Sequence, residues 1–136
     1  NTLVPHDAPA DERSIALFER LHEMGFSTCL ISNNREPRVT PFANALKTLY
    51  VYKAGKPKRR GYEEGMRRMG TQRSNTLFVG DQLFTDVWGA NRAGMHSILV
   101  KPMNPKEEIQ IVVKRYVEKP ILYCYRRRQR KDSCTM

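Results

Sequence analysis

Two carboxylates that follow an apolar segment are the most informative chemical feature of this sequence. Residues 76–94 read TLFVGDQLFTDVWGANRAG, in which Asp81 follows Gly80 and Asp86 comes five residues later. An aspartate at the carboxyl end of a parallel strand, on a glycine turn that opens a helix, is well placed to hold Mg²⁺ beside a phosphate. A structural alternative exists, because aspartate also favours turns and caps: Asp81 would cap the turn, and Asp86 the helix of residues 87–93.

Two further sets of polar residues follow earlier apolar segments. Ser32 and Asn33 come directly after FSTCLI, and Lys53 and Lys56 come after LYVY. Phosphoryl transfer needs hydroxyl and backbone N–H donors, a fixed cation for the developing charge, and a metal ion. These residues offer the first two, and the aspartate pair offers ligands for the third. Taken singly, Ser32 could cap a helix and the lysines could be solvated, but their order across successive segments favours one shared site.

The hydrophobic pattern predicts the elements that must position these residues. Asp11 is a candidate N-cap, Gly25 a helix stop, and Pro41 fits the first turn of the second helix, although Pro37 leaves the start of that helix open. Strands that alternate with helices pair in parallel through right-handed crossovers. The sequence therefore predicts an α/β fold, a three-layer doubly wound parallel sheet, in which the polar loops face one crevice. Its expected helices are residues 11–24, a segment within 36–48, a basic helix ending at 69, and 84–93; its expected strands are residues 26–31, 49–52, 76–79 and 96–100.

Positive charge is concentrated towards the end of the chain. The formal net charge is +10, of which +4 falls in residues 1–100 and +6 in residues 101–136. We expect a core over residues 1–119, with an amphipathic helix at 106–118, and a basic tail over residues 120–136. Positive surfaces attract phosphate groups, nucleic acid or anionic lipid, and the alternative is a solvated tail.

The cysteine count and the short apolar runs bear on location. The chain has three cysteines and no CxxC pair, which disfavours a zinc site and a disulfide framework and favours a reducing compartment. No apolar run approaches the roughly 20 residues that a membrane-spanning helix needs. We expect a cytoplasmic protein, with any membrane contact being peripheral.

Four motifs, in order along the chain, resemble those of a known enzyme family. NTLV, ISNN, YKAGKP and GDQLFTD, the last followed by GANRAG and ILVKP, are similar to phosphatase motifs of the haloacid dehalogenase (HAD) superfamily. The resemblance is strongest to its subfamily IIIA, YqeG-like branch, which is related to phosphatidylglycerophosphate phosphatases. The resemblance covers residues 1–119, so it implies little about the function of the basic tail.

The resemblance implies an aspartyl-phosphate mechanism that requires Mg²⁺. If the roles of the family's motifs are assigned to the matching positions, Ser32 would donate a hydrogen bond to a phosphoryl oxygen, with the backbone N–H of Asn33 beside it. Lys56 would stabilise the nucleophile and the phosphate, and Lys53 is the second candidate for that role.

On the metal side, the resemblance implies that Asp81 ligates Mg²⁺ and that Asp86 binds it through water or orients its shell. The family pattern is DxDNT, and the sequence starts at its Asn, here Asn1, so the nucleophile, the acid and their strand are not in the sequence. We therefore expect the natural product to extend upstream of Asn1, or another chain to complete the sheet. As written, the polypeptide should not turn over by this mechanism.

Spacing and charge suggest a substrate class. The intervals between strands have no room for a lid domain, so we expect an open crevice that suits a phosphate on a larger body. Basic residues favour a lipid headgroup at an anionic membrane. We predict a Mg²⁺-dependent phosphomonoester hydrolase for a phosphorylated glycerophospholipid such as phosphatidylglycerophosphate. The alternative is a non-catalytic module that binds RNA or a ribosomal partner; a nucleic-acid-end phosphatase is disfavoured because no aromatic residues interleave with the basic run.

Overall fold

The computed structural model describes residues 2–5 and 8–103. From Glu12 to Leu99, helices alternate with strands. The predicted helix at 106–118 and the predicted boundary between residues 119 and 120 lie outside this part. A 3-10 turn (Arg73–Asn75) precedes the third strand, and a π-helical segment (Leu83–Trp88) follows it. The helices are α1 (Glu12–Glu23), α2 (Glu36–Ala45), α3 (Arg59–Met69) and α4 (Gly89–Arg92), and the strands are β1 (Cys29–Ile31), β2 (Leu49–Val51), β3 (Leu77–Gly80) and β4 (His96–Leu99).

Local chemistry determines where α1 begins and ends. The Asp11 carboxylate accepts a hydrogen bond from the Ser14 N–H at 2.8 Å, and the Asp11 N–H donates to the Ser14 hydroxyl at 3.1 Å. This reciprocal cap satisfies two N–H groups that the first turn leaves without helical partners. Gly25 then takes a φ of +84°, a left-handed conformation that glycine adopts without strain. The predicted cap and stop are both confirmed.

The second helix lies within its predicted range of residues 36–48, but its prolines are placed differently from the prediction. We expected Pro41 in the first turn, but α2 begins at Glu36, Pro37 lies in its first turn, and Pro41 lies inside the helix. Pro37 is tolerated there because its missing N–H would have had no helical partner. Pro41 does remove one helical bond, and α2 ends about one turn later at Ala45.

The strands pair in parallel, as predicted. Cys29 of β1 lies opposite Leu49 of β2, and Leu77 of β3 lies opposite His96 of β4. Within the described residues these pairs form two separate two-stranded sheets. The parallel α/β arrangement is thus confirmed, while a lidless crevice and a further strand outside the given sequence stay predictions.

Helix α3 packs against both strand pairs. Its buried Tyr62 and Met66 join Phe78 of β3 in the hydrophobic core, and Ile31 of β1 packs against the same cluster. The Tyr62 and Phe78 rings lie edge to face with centroids 5.1 Å apart. Gly65 permits the approach to β1, because a Cβ there would lie 2.8 Å from the Ile31 side chain.

Among the described helices, none is long and apolar enough to cross a bilayer.

Candidate active site

All of the predicted site residues follow the carboxyl ends of strands or lie in the segment directly beyond. Two come directly after β1, one lies in the loop between β2 and α3, one follows β3, and one lies in the π-helical segment. Parallel strands place such loops at the same edge of a sheet, which is where ligands bind in open α/β folds. The five residues are Ser32, Asn33, Lys56, Asp81 and Asp86.

The carboxylate of Asp86 is buried and fully engaged. One oxygen accepts hydrogen bonds from the backbone N–H groups of Asp81 at 3.1 Å and Gln82 at 3.0 Å, and the other lies 2.6 Å from Lys56 Nζ. The structural alternative, in which Asp86 caps a helix at 87–93, is therefore wrong. Asp86 lies within the π-helical segment, and its side chain bonds the preceding turn. Gly80 makes this fold possible, since a Cβ there would lie 2.5 Å from three Asp86 side-chain atoms.

Of the two candidate lysines, Lys56 is the one that contacts a site carboxylate. Its side chain is only 14% exposed, and its ammonium lies 5.7 Å from the centre of the Phe78 ring as well as against Asp86. Lys53 is exposed, with a φ of +45°, and its backbone N–H donates to the Asn34 carbonyl. The geometry favours Lys56 as the cation of the site.

Asn33 contacts Lys56 in a way that the sequence did not indicate. The Lys56 N–H donates to Asn33 Oδ1 at 2.7 Å, and Asn33 Nδ2 donates to the Lys56 carbonyl at 3.1 Å. The two residues are 23 positions apart. No local pattern reports a side-chain-to-backbone contact over that separation, and the resemblance gave a role only to the backbone N–H of Asn33.

Ser32 joins the loops after β1 and β2. Its backbone N–H donates to the Val51 carbonyl and its carbonyl accepts from the Ala54 N–H, both at 2.9 Å. Its hydroxyl accepts a bond from the Asn34 N–H at 3.1 Å and donates none within the described residues. Ser32 does not cap α2, whose N-cap is Arg35 without a side-chain bond.

Asp81 is 5% exposed and contacts the start of the chain. One of its carboxylate oxygens accepts a hydrogen bond from the Thr2 hydroxyl at 2.7 Å. Thr2 belongs to the NTLV motif, yet sequence reasoning gave it no role of its own. The signal that could have identified it is its hydroxyl within that motif, at one end of the predicted site.

A buried tyrosine anchors the segment that carries Asp86. The Tyr62 hydroxyl donates to the Thr85 carbonyl, and Gly89 lies so close that a Cβ there would fall 2.7 Å from Tyr62 Cζ. Burial raises the pKa of Tyr62 well above its usual range, and the negative charge of Asp86 raises it further. π-helical segments are frequent at functional sites, so this anchor belongs with the site. The sequence gave no indication of it.

Asp81 and Asp86 fit a role beside Mg²⁺, although the described residues contain no cluster of three or more His, Cys, Asp or Glu suited to a metal. Mg²⁺ is often bound through one or two carboxylates, with water and substrate phosphate completing its shell. Both Asp86 oxygens already accept hydrogen bonds, so Asp86 fits an orienting role through water.

Two surface cavities of the described residues lie at the other end of the strands. One of about 650 Å³ is lined by residues that include Phe26, Thr28 and Thr48, next to the amino ends of β1 and β2. The other, of about 560 Å³, lies around the end of α3 and includes Thr71 and Arg73. Neither includes a predicted site residue.

Comparison with known proteins identifies the family. A family model described as HAD-hydrolase-like matches residues 53–108. The chain is 39% identical over 129 residues to the probable phosphatase YqeG of Bacillus subtilis (strain 168), a match that covers 94% of this chain and 75% of that protein. It is also 44% identical over 45 residues to the glyceraldehyde 3-phosphate phosphatase of Methanothermobacter thermautotrophicus, covering 33% of this chain and 20% of that protein.

A solved structure agrees at the level of the fold. The HAD phosphatase of Thermococcus onnurineus superposes with a TM-score of 0.61 at 18% identity, covering 74% of this chain. The chain spans about half of that protein, since the match covers 50% of it. On the strength of the similarity to the Bacillus protein, which covers 94% of this chain, the chain belongs to the family of HAD-like hydrolases, the family of phosphatases that its motifs predicted.

Proposed function

We propose that the protein is a Mg²⁺-dependent phosphomonoester hydrolase of the subfamily IIIA type, acting on a phosphorylated glycerophospholipid such as phosphatidylglycerophosphate. The observation that supports this most directly is the ion pair between Lys56 Nζ and Asp86, at 2.6 Å, whose carboxylate also accepts a hydrogen bond from the Asp81 N–H. A nearly buried cation against one carboxylate, next to a turn that carries a second, suits a site that receives a phosphoryl group and a divalent metal together.

Each residue has a role in this proposal. The Ser32 hydroxyl donates to a phosphoryl oxygen, with the Asn33 backbone N–H beside it, and Lys56 neutralises charge that develops on the phosphate. Asp81 would hold Mg²⁺, and Asp86 would orient it through water. When bound, the metal supplies electrophilic stabilisation of the phosphoryl oxygens. The nucleophile of the proposal is the first aspartate of the family pattern DxDNT, which precedes the NTLV motif.

A basic surface with an exposed aromatic ring supports a lipid substrate. Three exposed basic residues lie at the start of α3: Lys58, Arg59 and Arg60. The first of them is two positions after Lys56 in the sequence. The Arg59 side chain donates to the carbonyl of Arg92 at 2.6 Å. Neighbouring cations strengthen attraction to anionic membranes by roughly 1 kcal/mol each.

The aromatic member of this surface is Trp88. It is 48% exposed, it follows Asp86 by two residues, and the Arg92 guanidinium lies 4.7 Å from its ring centre. Tryptophan favours the interface between lipid headgroups and acyl chains. We propose that the protein is cytoplasmic and contacts anionic membranes peripherally; the odd cysteine count without a CxxC pair supports the reducing compartment.

The test is phosphate release by the full natural chain. Hydrolysis of p-nitrophenyl phosphate, and of phosphatidylglycerophosphate in mixed vesicles, is measured with Mg²⁺ and with EDTA. We expect activity that EDTA removes, that Asp81→Ala abolishes, and that Lys56→Ala lowers sharply. Undiminished turnover in both variants would refute the site, and hydrolysis of the soluble ester alone would refute the lipid substrate. RNA binding without any phosphate release would instead favour the non-catalytic module.

A further inference from the structure

The side chain of Asn33 contacts the backbone of Lys56 at two points. The Lys56 N–H donates to Oδ1 at 2.7 Å, and Nδ2 donates to the Lys56 carbonyl at 3.1 Å. The orientation of the amide follows from these partners, because a peptide N–H can only donate and a peptide carbonyl can only accept. An aspartate could satisfy the N–H but would turn an oxygen towards the carbonyl, so asparagine is specifically suited to this contact.

Within the described residues, the loop that carries Lys56 is held by a few backbone bonds, and the N–H and carbonyl of Lys56 are bonded by the Asn33 side chain. Lys56 lies between β2 and α3, outside both elements, and the preceding Gly55 has a left-handed φ of +68°. Two backbone bonds tie the start of this loop to the segment after β1, but they come from residues 53 and 54. Beyond them, a turn bond from the Lys58 N–H to the Gly55 carbonyl, at 2.9 Å, spans Lys56, and the side chain of Asn33 bonds the Lys56 N–H and carbonyl themselves.

The position of that peptide matters because Lys56 reaches Asp86 through a flexible stem. A lysine side chain carries its charge at the end of a flexible four-carbon chain. Its ammonium therefore keeps one position only if the backbone is fixed. The ammonium lies 2.6 Å from Asp86 Oδ1 in a nearly buried position. A misplacement of about 1 Å in an active site can lower the rate by about 100-fold.

We propose that Asn33 is a positioning residue whose side-chain amide fixes the backbone of Lys56, and thereby holds the Lys56 ammonium beside Asp86 at the phosphate site. The catalytic consequence rests on the proposed function, whereas the contact itself rests on hydrogen-bond geometry alone. This role is additional to the phosphate contact expected of the Asn33 backbone N–H, which any residue at this position could make.

Kinetics of Asn33→Ala in the full natural chain give the first test, with p-nitrophenyl phosphate and Mg²⁺. The matched control is Asn34→Ala, because the Asn34 side chain makes no hydrogen bond within the described residues. We expect kcat/KM to fall about 10- to 100-fold in Asn33→Ala and to stay within about twofold of wild type in Asn34→Ala. Wild-type kcat/KM in Asn33→Ala would overturn the proposal.

A double-mutant cycle separates positioning from a general structural role. The affinity for inorganic phosphate is measured by calorimetry for the wild type, Asn33→Ala, Lys56→Ala and the double variant. If Asn33 acts through Lys56, its removal should weaken phosphate binding in the wild type and change it by less than about twofold when Lys56 is absent. An undiminished effect in the Lys56→Ala background would overturn the proposal.

Amide hydrogen exchange tests the contact without any activity. We expect the Lys56 amide to exchange faster in Asn33→Ala, with little change elsewhere, and to keep its wild-type rate in Asn34→Ala. An unchanged Lys56 rate in Asn33→Ala would refute the contact. A wild-type protein that releases no phosphate would refute the proposed function, and this measurement would still decide the positioning role.

Discussion

The ammonium of Lys56 lies 2.6 Å from the carboxylate of Asp86, and the two side chains are 14% and 4% exposed. Lys56 follows β2 and Asp86 follows β3, so a single ion pair joins loops that belong to two different strand pairs. The same carboxylate accepts bonds from two backbone N–H groups of the turn after β3. The pair therefore contributes both to the arrangement of the site and to its charge.

Removing Asp86 should destabilise the protein strongly. Asp86→Ala leaves the Lys56 ammonium and two turn N–H groups nearly buried and without their acceptor. Breaking a buried pair in this way costs about 3–5 kcal/mol of unfolding free energy. Equilibrium urea unfolding of the variant and the wild type measures the difference.

The matched control for this prediction is Glu64→Ala. Glu64 bonds Arg67 and Arg68 on the surface of α3, where solvent screens the charges, so little change is expected. A loss in Asp86→Ala no larger than in Glu64→Ala would contradict the burial of the site pair.

Gly80→Ala should disrupt the site without removing any functional group. The added Cβ would lie 2.5 Å from Asp86 Cβ, Cγ and Oδ2, so the carboxylate must move away from the turn and from Lys56. We expect kcat/KM for p-nitrophenyl phosphate to fall by about 100-fold. Val79→Ala, a truncation at the neighbouring exposed position, is the control and should stay near the wild type. Equal activities in the two variants would show that the close approach is dispensable.

Local chemistry made much of the fold predictable. The Asp11 cap and the stop at Gly25 were correct because each involves residues within one helical turn. The stop of α3 at Gly70, with a φ of +67°, was correct for the same reason. The start of α2 was left open, and the placement of Pro41 in its first turn was wrong, because two prolines compete for a first turn and the sequence alone does not say which of them occupies it.

The proximity of Lys56, Asp81 and Asp86 was predictable from the sequence, but the contacts between atoms were not. Motif order brought Lys56, Asp81 and Asp86 together, since parallel strand ends converge whatever their loops contain. Which atoms meet depends on contacts between distant residues: the Asn33 side chain on the Lys56 backbone and the Tyr62 hydroxyl on the π-helical segment. Propensity and periodicity carry no information at such separations.

Cys29 should be a poorly reactive thiol in the folded protein. Burial raises its pKa to about 11, so little thiolate is present at pH 8, and the thiolate is the reactive form. With a reference pKa of 9.0, the thiolate fraction falls by about 100-fold. Alkylation by iodoacetamide at pH 8, followed site by site with mass spectrometry, measures this.

The same alkylation in urea serves as the control for Cys29. Unfolding exposes the thiol and returns its pKa towards the ordinary value, so Cys29 should then react rapidly. Equal Cys29 alkylation rates in folded and unfolded protein would contradict the burial of this side chain against α3.

Tyr62→Phe should lower stability at neutral pH and weaken its alkaline dependence. The variant leaves the Thr85 carbonyl buried without its donor, which costs about 1–3 kcal/mol. In the wild type, burial raises the pKa of Tyr62 in the folded state above the unfolded value of about 10. Below pH 10 both states keep the proton and the stabilisation is complete. As pH rises further, the unfolded state releases a proton that the folded state retains, so stability falls.

Urea midpoints at several values between pH 7 and 11 measure both effects. The wild type should lose more stability than Tyr62→Phe between pH 10 and 11, so the two curves approach each other as pH rises. Tyr52→Phe, at a half-buried tyrosine outside this contact, is the control for removing a phenol. Parallel curves for the wild type and Tyr62→Phe would mean that the Tyr62 hydroxyl meets solvent in the folded state. The π-helical segment that carries Asp86 would then need a different anchor.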